Sequence, residues 1–334
     1  MKPRIISGIQ PSGKLHIGNY LGALKKFLKL QENKFQQCLF MVADYHSITE
    51  DYDLKEKEKQ VLELTADFLA IGLDPEQSIV FLQSLVPEHL ELTWIFNSIT
   101  PVSELTRMTQ YKDKASRQAK NINAGLFTYP VLQAADILIY KPVAVPVGRD
   151  QTQHLELTND IARKFNKKFG EYFDIVERVT QDRDEINPDY IMSLQNPEKK
   201  MSKSEPAGCL FIEDGPEEMW KKIKKAVTES SPDKELQSAL GVTNLFTLLK
   251  SFGTEEEHLK FENQRNNGSI RYSEFKEVLA KRISDHFIDY RMKKQKLIKN
   301  PSKLKKILES GSKKARSIAS KTLAEVKAKI GLKL

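Results

Sequence analysis

Between Arg4 and Leu28 the chain reads as a strand, a tight turn and a helix, in that order. Arg4 to Ile9 is a largely apolar run of strand length. Gln10-Pro11-Ser12-Gly13 carries turn chemistry, and Leu21, Leu24 and Leu28 then recur at helical spacing. A strand feeding a helix through a short glycine loop is the repeating unit of a parallel α/β sheet, so this stretch narrows the fold more than any other. The alternation continues. Cys38 to Ala43 reads as a second strand. Val61 to Gly72 reads as a helix with Leu62, Ala66 and Leu69 on one face and Gly72 as its stop. Ser78 to Leu82 and Val143 to Val147 read as further strands. Leu155, Thr158, Ala162, Phe165 and Phe169 mark an amphipathic helix ending at Gly170. Beyond about Pro216 the strand signals fade and helical patterns take over, as in Ala315, Ala319, Leu323, Val326 and Ile330. The pattern predicts a parallel α/β domain followed by an all-helical one.

A length of 334 residues fits two domains, and 40% hydrophobic residues suffice for real cores. No run of 18 apolar residues suggests a membrane span. Met1-Lys2-Pro3-Arg4 enters the first strand at once, so no signal peptide is expected. The two cysteines, Cys38 and Cys209, lie in unrelated contexts that imply neither a disulfide framework nor a zinc site. Cys38 sits in an apolar run and is expected in the core. Together these features predict a cytoplasmic protein.

Charge is unevenly spread. From Lys281 to the end there are 17 Lys plus Arg against 4 Asp plus Glu, a net +13, whereas the first 280 residues hold 36 against 41, a net −5. A basic end on a mildly acidic body predicts a polyanionic partner docking there.

The turn after the first strand opens a helix, and a helix N-terminus offers free backbone N–H groups and a positive dipole end to an anion. Gly13 can take backbone angles closed to other residues. Gly18 lets a flat base or ribose lie against the backbone. His16 and Asn19 supply donors one helical turn apart, within reach of phosphate oxygens. A second segment, Lys200-Met201-Ser202-Lys203-Ser204, lies between Pro197 and Pro206 and reads as a loop. Two ammonium groups on a loop able to close would stabilise charge building on a leaving pyrophosphate.

In this order, Gln10-Pro11-Ser12-Gly13-Lys14-Leu15-His16-Ile17-Gly18-Asn19-Tyr20 and Lys200 to Ser204 resemble the two signatures of class I aminoacyl-tRNA synthetases. Met41 to Thr49, Tyr129 to Leu138, Val145 to Thr158 and the tail from Gly311 to Leu332 narrow the resemblance to the tryptophanyl-tRNA synthetase family, over essentially the whole chain. The resemblance implies a Rossmann-type catalytic domain over 1–205 and a helical, anticodon-binding domain over 206–334. It implies activation of L-tryptophan with ATP and transfer to the terminal adenosine of tRNA(Trp), with Mg²⁺ on the ATP phosphates. Carried over by position, Gln10, Pro11, Ser12, Gly18 and Asn19 would line the ATP pocket with His16 near the phosphates. Gly148, Arg149 and Asp150 would sit at the ribose and phosphate side, and Ile191 against adenine. Lys200, Met201, Ser202, Lys203 and Ser204 would close over the triphosphate, with Lys114 a further phosphate contact. His16, Lys114, Lys200 and Lys203 are thus the expected catalytic set. Asp136 would accept a hydrogen bond from the indole N–H, Tyr129 and Gln151 would hold the substrate amino group, and Ile6, Gly8 and Gln133 would complete the tryptophan pocket.

The chemistry suits these roles. The indole ring offers one polar atom, a donor only, so a pocket that selects it needs one acceptor in an apolar wall. Asp136, just before Ile137-Leu138-Ile139, supplies that combination. The substrate carboxylate is itself the nucleophile, so no general base is assigned. Three positions depart from the family pattern: Gln133 stands where many relatives have Met, Arg149 where they have an acidic residue or lysine, and Ile6 where an aromatic is common. Some relatives carry a four-cysteine iron–sulfur motif in the C-terminal half; here only Cys209 lies there, so no cluster is expected, and no zinc. The remaining histidines show no metal-type spacing, and no protein-bound metal is expected. Trp94 and Trp220 are expected to pack. The helix with Leu92, Ile95 and Phe96 would bury a subunit interface of the homodimer that the resemblance suggests. A tyrosyl-tRNA synthetase, a smaller nucleotidyltransferase and a non-catalytic RNA-binding relative are the alternatives. The Val145 to Gly148 and Gln151 to His154 segments favour tryptophan over the first. The helical C-terminal region and the two intact signatures stand against the others.

Overall fold

The computed structural model describes residues 2–109, 122–148, 151–179, 191–228 and 235–332, with 235–238 as backbone only. Chain contacts separate two compact units, each discontinuous in sequence: Met1–Gly13, Lys26–Thr180 and Leu297–Leu334 in the first, Lys14–Lys25 and Gln181–Lys296 in the second.

The first unit is built on a five-stranded parallel sheet. Its strands are β1 (Arg4–Ile9), β2 (Gln37–Val42), β3 (Ile79–Leu82), β4 (Ala144–Val145) and β5 (Glu177–Arg178), in the order β3-β2-β1-β4-β5. β1 pairs β2 along its full length, from Arg4↔Gln37 to Ile9↔Val42, but meets β4 at Ile5↔Ala144. β4 is shorter than the sequence suggests, because Pro146 follows it and offers no N–H to a ladder. The buried apolar runs of β2 and β3 are what a sheet covered on both faces requires.

Helices α1 (Lys25–Glu32), α2 (Leu54–Ile71), α3 (Glu88–Asn97), α4 (Ala124–Leu138) and α5 (Thr152–Phe169) connect these strands, with α3 and α4 both between β3 and β4. α2 begins at Asp53, whose side chain accepts from the Lys55 N–H, and ends at Gly72 with φ +122°. The first helical stretch is not one regular helix. Ile17–Asn19 forms a single turn, Tyr20–Leu24 widens into a π-turn in which the Lys25 N–H reaches the Tyr20 carbonyl, and α1 follows. Bulges of this kind often mark functional segments.

The last helix, α11 (Pro301–Lys329), packs in the first unit, against β3. The stripe Ala315, Ala319, Leu323 and Val326 joins the same buried cluster as Leu39, Phe81, Phe96 and Phe165. A Cβ on Gly311 would stand 1.8 Å from the Val80 carbonyl oxygen, so only glycine permits this approach. The Leu82 N–H of the edge strand donates to Ser312 Oγ at 3.1 Å, which covers an edge that would otherwise be open.

The second unit contains α6 (Pro216–Lys224), α7 (Glu235–Phe252), α8 (Glu255–Asn266), α9 (Tyr272–His286) and α10 (Ile288–Ile298). Phe275 on α9 is fully buried and meets Phe246 and Phe261, each at 4.9 Å between ring centroids. Thr254 and Glu257 form a reciprocal cap at the start of α8. Buried Lys276 donates to the carbonyls of Lys224 and Ala226, satisfying oxygens left over where α6 ends.

One expectation about packing is corrected. Trp94 is 76% exposed, because α3 turns Leu92, Ile95 and Phe96 inward and leaves Leu90 and Trp94, one turn apart, on its outer face. Leu92, Ile95 and Phe96 lie in this subunit's own buried cluster, and the outer face of α3 carries Leu90 and Trp94. Cys38 is buried as expected, and burial pushes its thiol pKa up to about 11.

Candidate functional site

The strand order of the first unit reverses direction between β1 and β4, and in doubly wound sheets ligands bind beyond the strand ends at such a point. β1 runs out into Gln10 to Gly13, where the Ser12 N–H closes a tight turn on the Gln10 carbonyl and Gly13 takes φ +99°. β4 runs out into Gly148, whose carbonyl accepts from the Gln151 N–H. Gly8, at the exposed end of β1, lies so close to Met41 that a Cβ would stand 3.1 Å from its carbonyl oxygen. Ile6 is 2% exposed and belongs to the sheet core.

α4 carries Tyr129, Gln133 and Asp136 at steps of four and three, which places them on one face. Tyr129 is buried, its hydroxyl is 3.0 Å from His154 Nε2, and burial followed by the charge of Glu50 raises its pKa. Gln133 donates to Gln151 at 3.3 Å. Asp136 is 2% exposed. It accepts from His46 Nε2 at 2.6 Å, from His89 Nδ1 at 2.5 Å, and from Gln83 Nε2 at 2.8 and 2.9 Å. His89 Nε2 in turn shares a 2.7 Å hydrogen bond with the Tyr140 hydroxyl. Burial by itself would raise the Asp136 pKa. The charges and hydrogen bonds of His89 and His46 outweigh it and hold the carboxyl well below the usual range, so the group is ionised. Burial, with the negative charges of Asp136 and Glu88, pushes the Tyr140 phenol well above its ordinary value.

The second unit assembles a different chemistry. Leu15 to Ile17 lies beside Leu210 to Ile212: the Ile17 N–H donates to the Leu210 carbonyl at 2.9 Å, and the Ile212 N–H donates to the Leu15 carbonyl at 3.0 Å. This fixes His16 in a bridge with Phe211. His16 then caps the helical turn. Its Nδ1 accepts from the Gly18 N–H at 3.1 Å, and its own N–H donates to Asn19 Oδ1 at 3.0 Å. A Cβ on Gly18 would stand 2.8 Å from the His16 ring, so the cap requires glycine there. Burial, then the charges of Lys203 and Lys200, hold the His16 pKa down to about 4. His16 is therefore neutral at neutral pH. With Nδ1 accepting, its proton sits on Nε2, where it can be donated to a phosphate oxygen.

The Lys200 to Ser204 segment is a loop, as its flanking prolines predict. It is clipped at one end: the Met201 N–H donates to the carbonyl of buried Ile191, Met192 bridges Lys200, and the Met201 side chain is 3% exposed. Ser202 and Ser204 are exposed and share a 2.9 Å hydrogen bond, and Lys200 is exposed. The loop thus has a buried methionine anchor and a polar outer rim.

The expected residues fall into two sets. His16, Gly18, Asn19, Ile191 and Lys200 to Ser204 belong to the second unit. Ile6, Gly8, Gln10, Pro11, Ser12, Tyr129, Gln133, Asp136, Gly148 and Gln151 belong to the first. Lys114, Arg149 and Asp150 lie outside the described residues. Residues that sequence reading missed surround both sets. Gln83, His89 and Tyr140 carry no spacing signal, since they come from three separate elements. Asp214 holds the Phe211 N–H at 2.9 Å and pairs with buried Lys222 at 2.7 Å, fixing the strand that fixes His16.

The sequence pattern of the family described as tRNA synthetases class I (W and Y) matches residues 1–295. A tryptophan–tRNA ligase from Caldanaerobacter subterraneus subsp. tengcongensis is 43% identical over 337 aligned positions, covering 98% of each chain. The crystal structure of tryptophanyl-tRNA synthetase from Mycoplasma pneumoniae superposes with a TM-score of 0.85 at 35% identity, covering 100% of this chain and 99% of that one. The Campylobacter jejuni tryptophanyl-tRNA synthetase, complexed with ADP and tryptophan, superposes at 0.83 with 36% identity, over 98% and 99% of the two chains.

Proposed function

Because the chain belongs to the class I tRNA synthetases of the tryptophan and tyrosine group, we propose that it performs the reaction of its tryptophan-type relatives. It is a tryptophan–tRNA ligase of Rossmann-type fold that uses ATP. L-tryptophan and ATP give tryptophanyl-adenylate and pyrophosphate, and the tryptophanyl group then passes to the terminal adenosine of tRNA(Trp).

The observation that carries the activation step is His16, buried, neutral and protonated on Nε2 under the charges of Lys203 and Lys200. The tryptophan carboxylate attacks the α-phosphorus and the bond to pyrophosphate breaks. Negative charge builds on the bridging and pyrophosphate oxygens. A neutral N–H donor and two ammonium groups stabilise that charge without taking a proton from substrate. We assign Gln10, Pro11, Ser12, Gly18, Asn19, Gly148 and Ile191 to the ATP pocket, with Lys114, Arg149 and Asp150 as further members. Mg²⁺ is assigned to the ATP phosphates as part of the substrate. We assign indole recognition to Asp136, the substrate amino group to Tyr129 and Gln151, and the remaining pocket wall to Ile6, Gly8 and Gln133. A buried, ionised carboxylate suits a ring whose one polar atom is a donor.

We assign catalysis to residues 1–205 and anticodon binding to 206–334, with tRNA contacts on the basic face of α11. Lys303, Lys306, Ser310 and Lys314 share one helix face along a cleft of about 390 Å³, while Lys305, Arg316 and Lys327 pair with Glu58, Glu88 and Glu91. Lysines that line an open cleft suit phosphate contacts. The outward pair Leu90 and Trp94 supports a homodimer through α3. No helix among the described residues is long and apolar enough to cross a membrane, and we assign the protein to the cytoplasm.

Amino-acid-dependent ATP–pyrophosphate exchange with each of the twenty amino acids tests the reading. Exchange with tryptophan alone is expected. Exchange with tyrosine would overturn the assignment of Asp136, and no exchange would overturn activation altogether.

A further inference from the structure

The loop from Lys200 to Ser204 grows out of a short hairpin over 191–201. The Ser193 N–H donates to the Lys199 carbonyl at 2.8 Å and the Met201 N–H to the Ile191 carbonyl at 3.0 Å, while the Lys199 N–H closes the turn on the Asn196 carbonyl at 2.9 Å. Met192 and Lys200 stand opposite each other between the first two bonds. Such a pair in an antiparallel ladder exchanges no backbone bonds, so the Met192 N–H and C=O point away from the other arm. They need partners from elsewhere.

One side chain supplies both. Asn244, on α7, is 2% exposed. Its Oδ1 accepts from the Met192 N–H at 2.9 Å, and its Nδ2 donates to the Met192 carbonyl at 2.9 Å. Two residues on, the same edge is held by backbone groups: the Leu194 N–H donates to the Gly208 carbonyl and the Leu194 carbonyl accepts from the Val227 N–H, each at 2.9 Å. α7 approaches this layer through Gly241, one turn before Asn244, where a Cβ would stand 2.5 Å from the Val227 carbonyl oxygen. The Asn244 amide thus stands in for a neighbouring strand. Its grip falls on the residue that faces Lys200 and adjoins Ile191. Asn244 is not among the residues assigned above to substrate.

We propose that Asn244 is a positioning residue for tryptophan activation: by holding the Met192 backbone it sets where the stem of the loop stands, and so where Lys200 and Lys203 present their ammonium groups. The proposal rests on the loop acting in adenylate formation, as assigned above. The stem is held differently at its two ends. Leu194, nearer the turn, is tied by backbone groups, whereas Met192, level with Lys200, is tied by a side chain. Without the amide the stem is released at the level from which the loop departs. Stabilising charge on a leaving group depends on donors standing close to their productive positions, and a misplacement of about 1 Å can cost 10²-fold in rate. A released stem therefore costs rate at the chemical step rather than affinity for tryptophan.

Single-turnover adenylate formation at saturating ATP and tryptophan tests this, with amplitude and rate constant read separately. Asn244→Ala is expected to lower the rate constant about tenfold, with tryptophan affinity within about twofold of the parent. The discriminating measurement is the double variant with Lys203→Ala. A residue that acts by placing the loop's ammonium groups has less to act on once one of them is gone, so Asn244→Ala is expected to cost no more than about threefold in that background. A purely structural clasp would lower Tm and the amplitude with the rate constant unchanged, or would cost the same factor in both backgrounds. Either result overturns the proposal. If Asn244→Ala does not fold, Asn244→Thr takes its place: its hydroxyl is one bond shorter than the amide and cannot span both Met192 groups, and a rate constant within about twofold of the parent overturns the proposal equally. Lys203→Ala is also measured alone. If it leaves the rate constant unchanged, the loop's role in activation is what fails; if it slows the step while the Asn244 variants do not, the positioning role alone fails.

Discussion

The surroundings of Asp136 and the loop Lys200 to Ser204 place charge in opposite ways. Asp136 is 2% exposed and meets three donor groups, whereas the loop is pinned by one buried methionine and turns its serines to solvent. A group that must tell one aromatic ring from another works best immobilised, because an unfilled acceptor then costs the wrong ligand its full desolvation penalty. A group that must meet charge appearing only in the transition state works best on a segment able to adjust. His16 lies between these extremes: it is buried like the selector, but neutral and aimed like a donor.

The comparison breaks first at Lys203. Lys203→Ala is expected to slow single-turnover adenylate formation about 10²- to 10³-fold while tryptophan affinity changes less than about twofold. An unchanged rate would remove the loop from the chemistry. The next largest effect is on stability, away from either site. Gly311→Ala would force a methyl against the Val80 carbonyl, and we expect a loss of about 3 kcal/mol, read as a lower Tm with retained kcat at permissive temperature. Asp136→Asn turns an acceptor into a group that can also donate. The kcat/KM for tryptophan is expected to fall about tenfold or more, with discrimination against phenylalanine reduced.

A pH profile sharpens the comparison further. With its folded pKa near 4, His16 stays neutral at mild acidity, so the activation rate constant is expected to stay flat from about pH 8 to 5.5. A rate that rises as pH falls through the ordinary histidine value would show that a cationic His16 is required. Stability runs the other way. Between about pH 6.5 and 4 the unfolded chain binds the His16 proton more readily than the folded one, so the contribution of this residue to stability is lost as pH falls through that window. The smallest effect is expected at α11: Lys314→Ala raises the KM for tRNA two- to three-fold or so, and flattens its salt dependence, without touching pyrophosphate exchange.

Much of this was legible in residue order, and the reason is local. β1 matches its predicted span at Arg4–Ile9, and α2 and α5 end at the glycines that mark them, because strand length, helical period and glycine stops act over a few residues. The π-turn at Tyr20–Leu24 escaped because no local pattern marks it, and the contacts that hold Tyr20 come from far along the chain: His286 at 2.8 Å and the ring of Phe287. Trp94 was misjudged for a related reason. Hydrophobicity shows that a helix has an apolar face, but which flank the core takes depends on what packs against it.

The sequence by itself determined the α/β alternation, the loop character of Lys200 to Ser204, the basic C-terminal end and the residue types that carry the chemistry, since each depends on neighbours within a turn or two. Only the tertiary structure decided that His16 is neutral, that α11 returns to cover the edge of the sheet, and that Asp136 is ionised among His46, Gln83 and His89. Those outcomes depend on burial and on partners dozens to hundreds of residues away, and charge state and acceptor geometry are properties of a surrounding that exists only once the chain is packed.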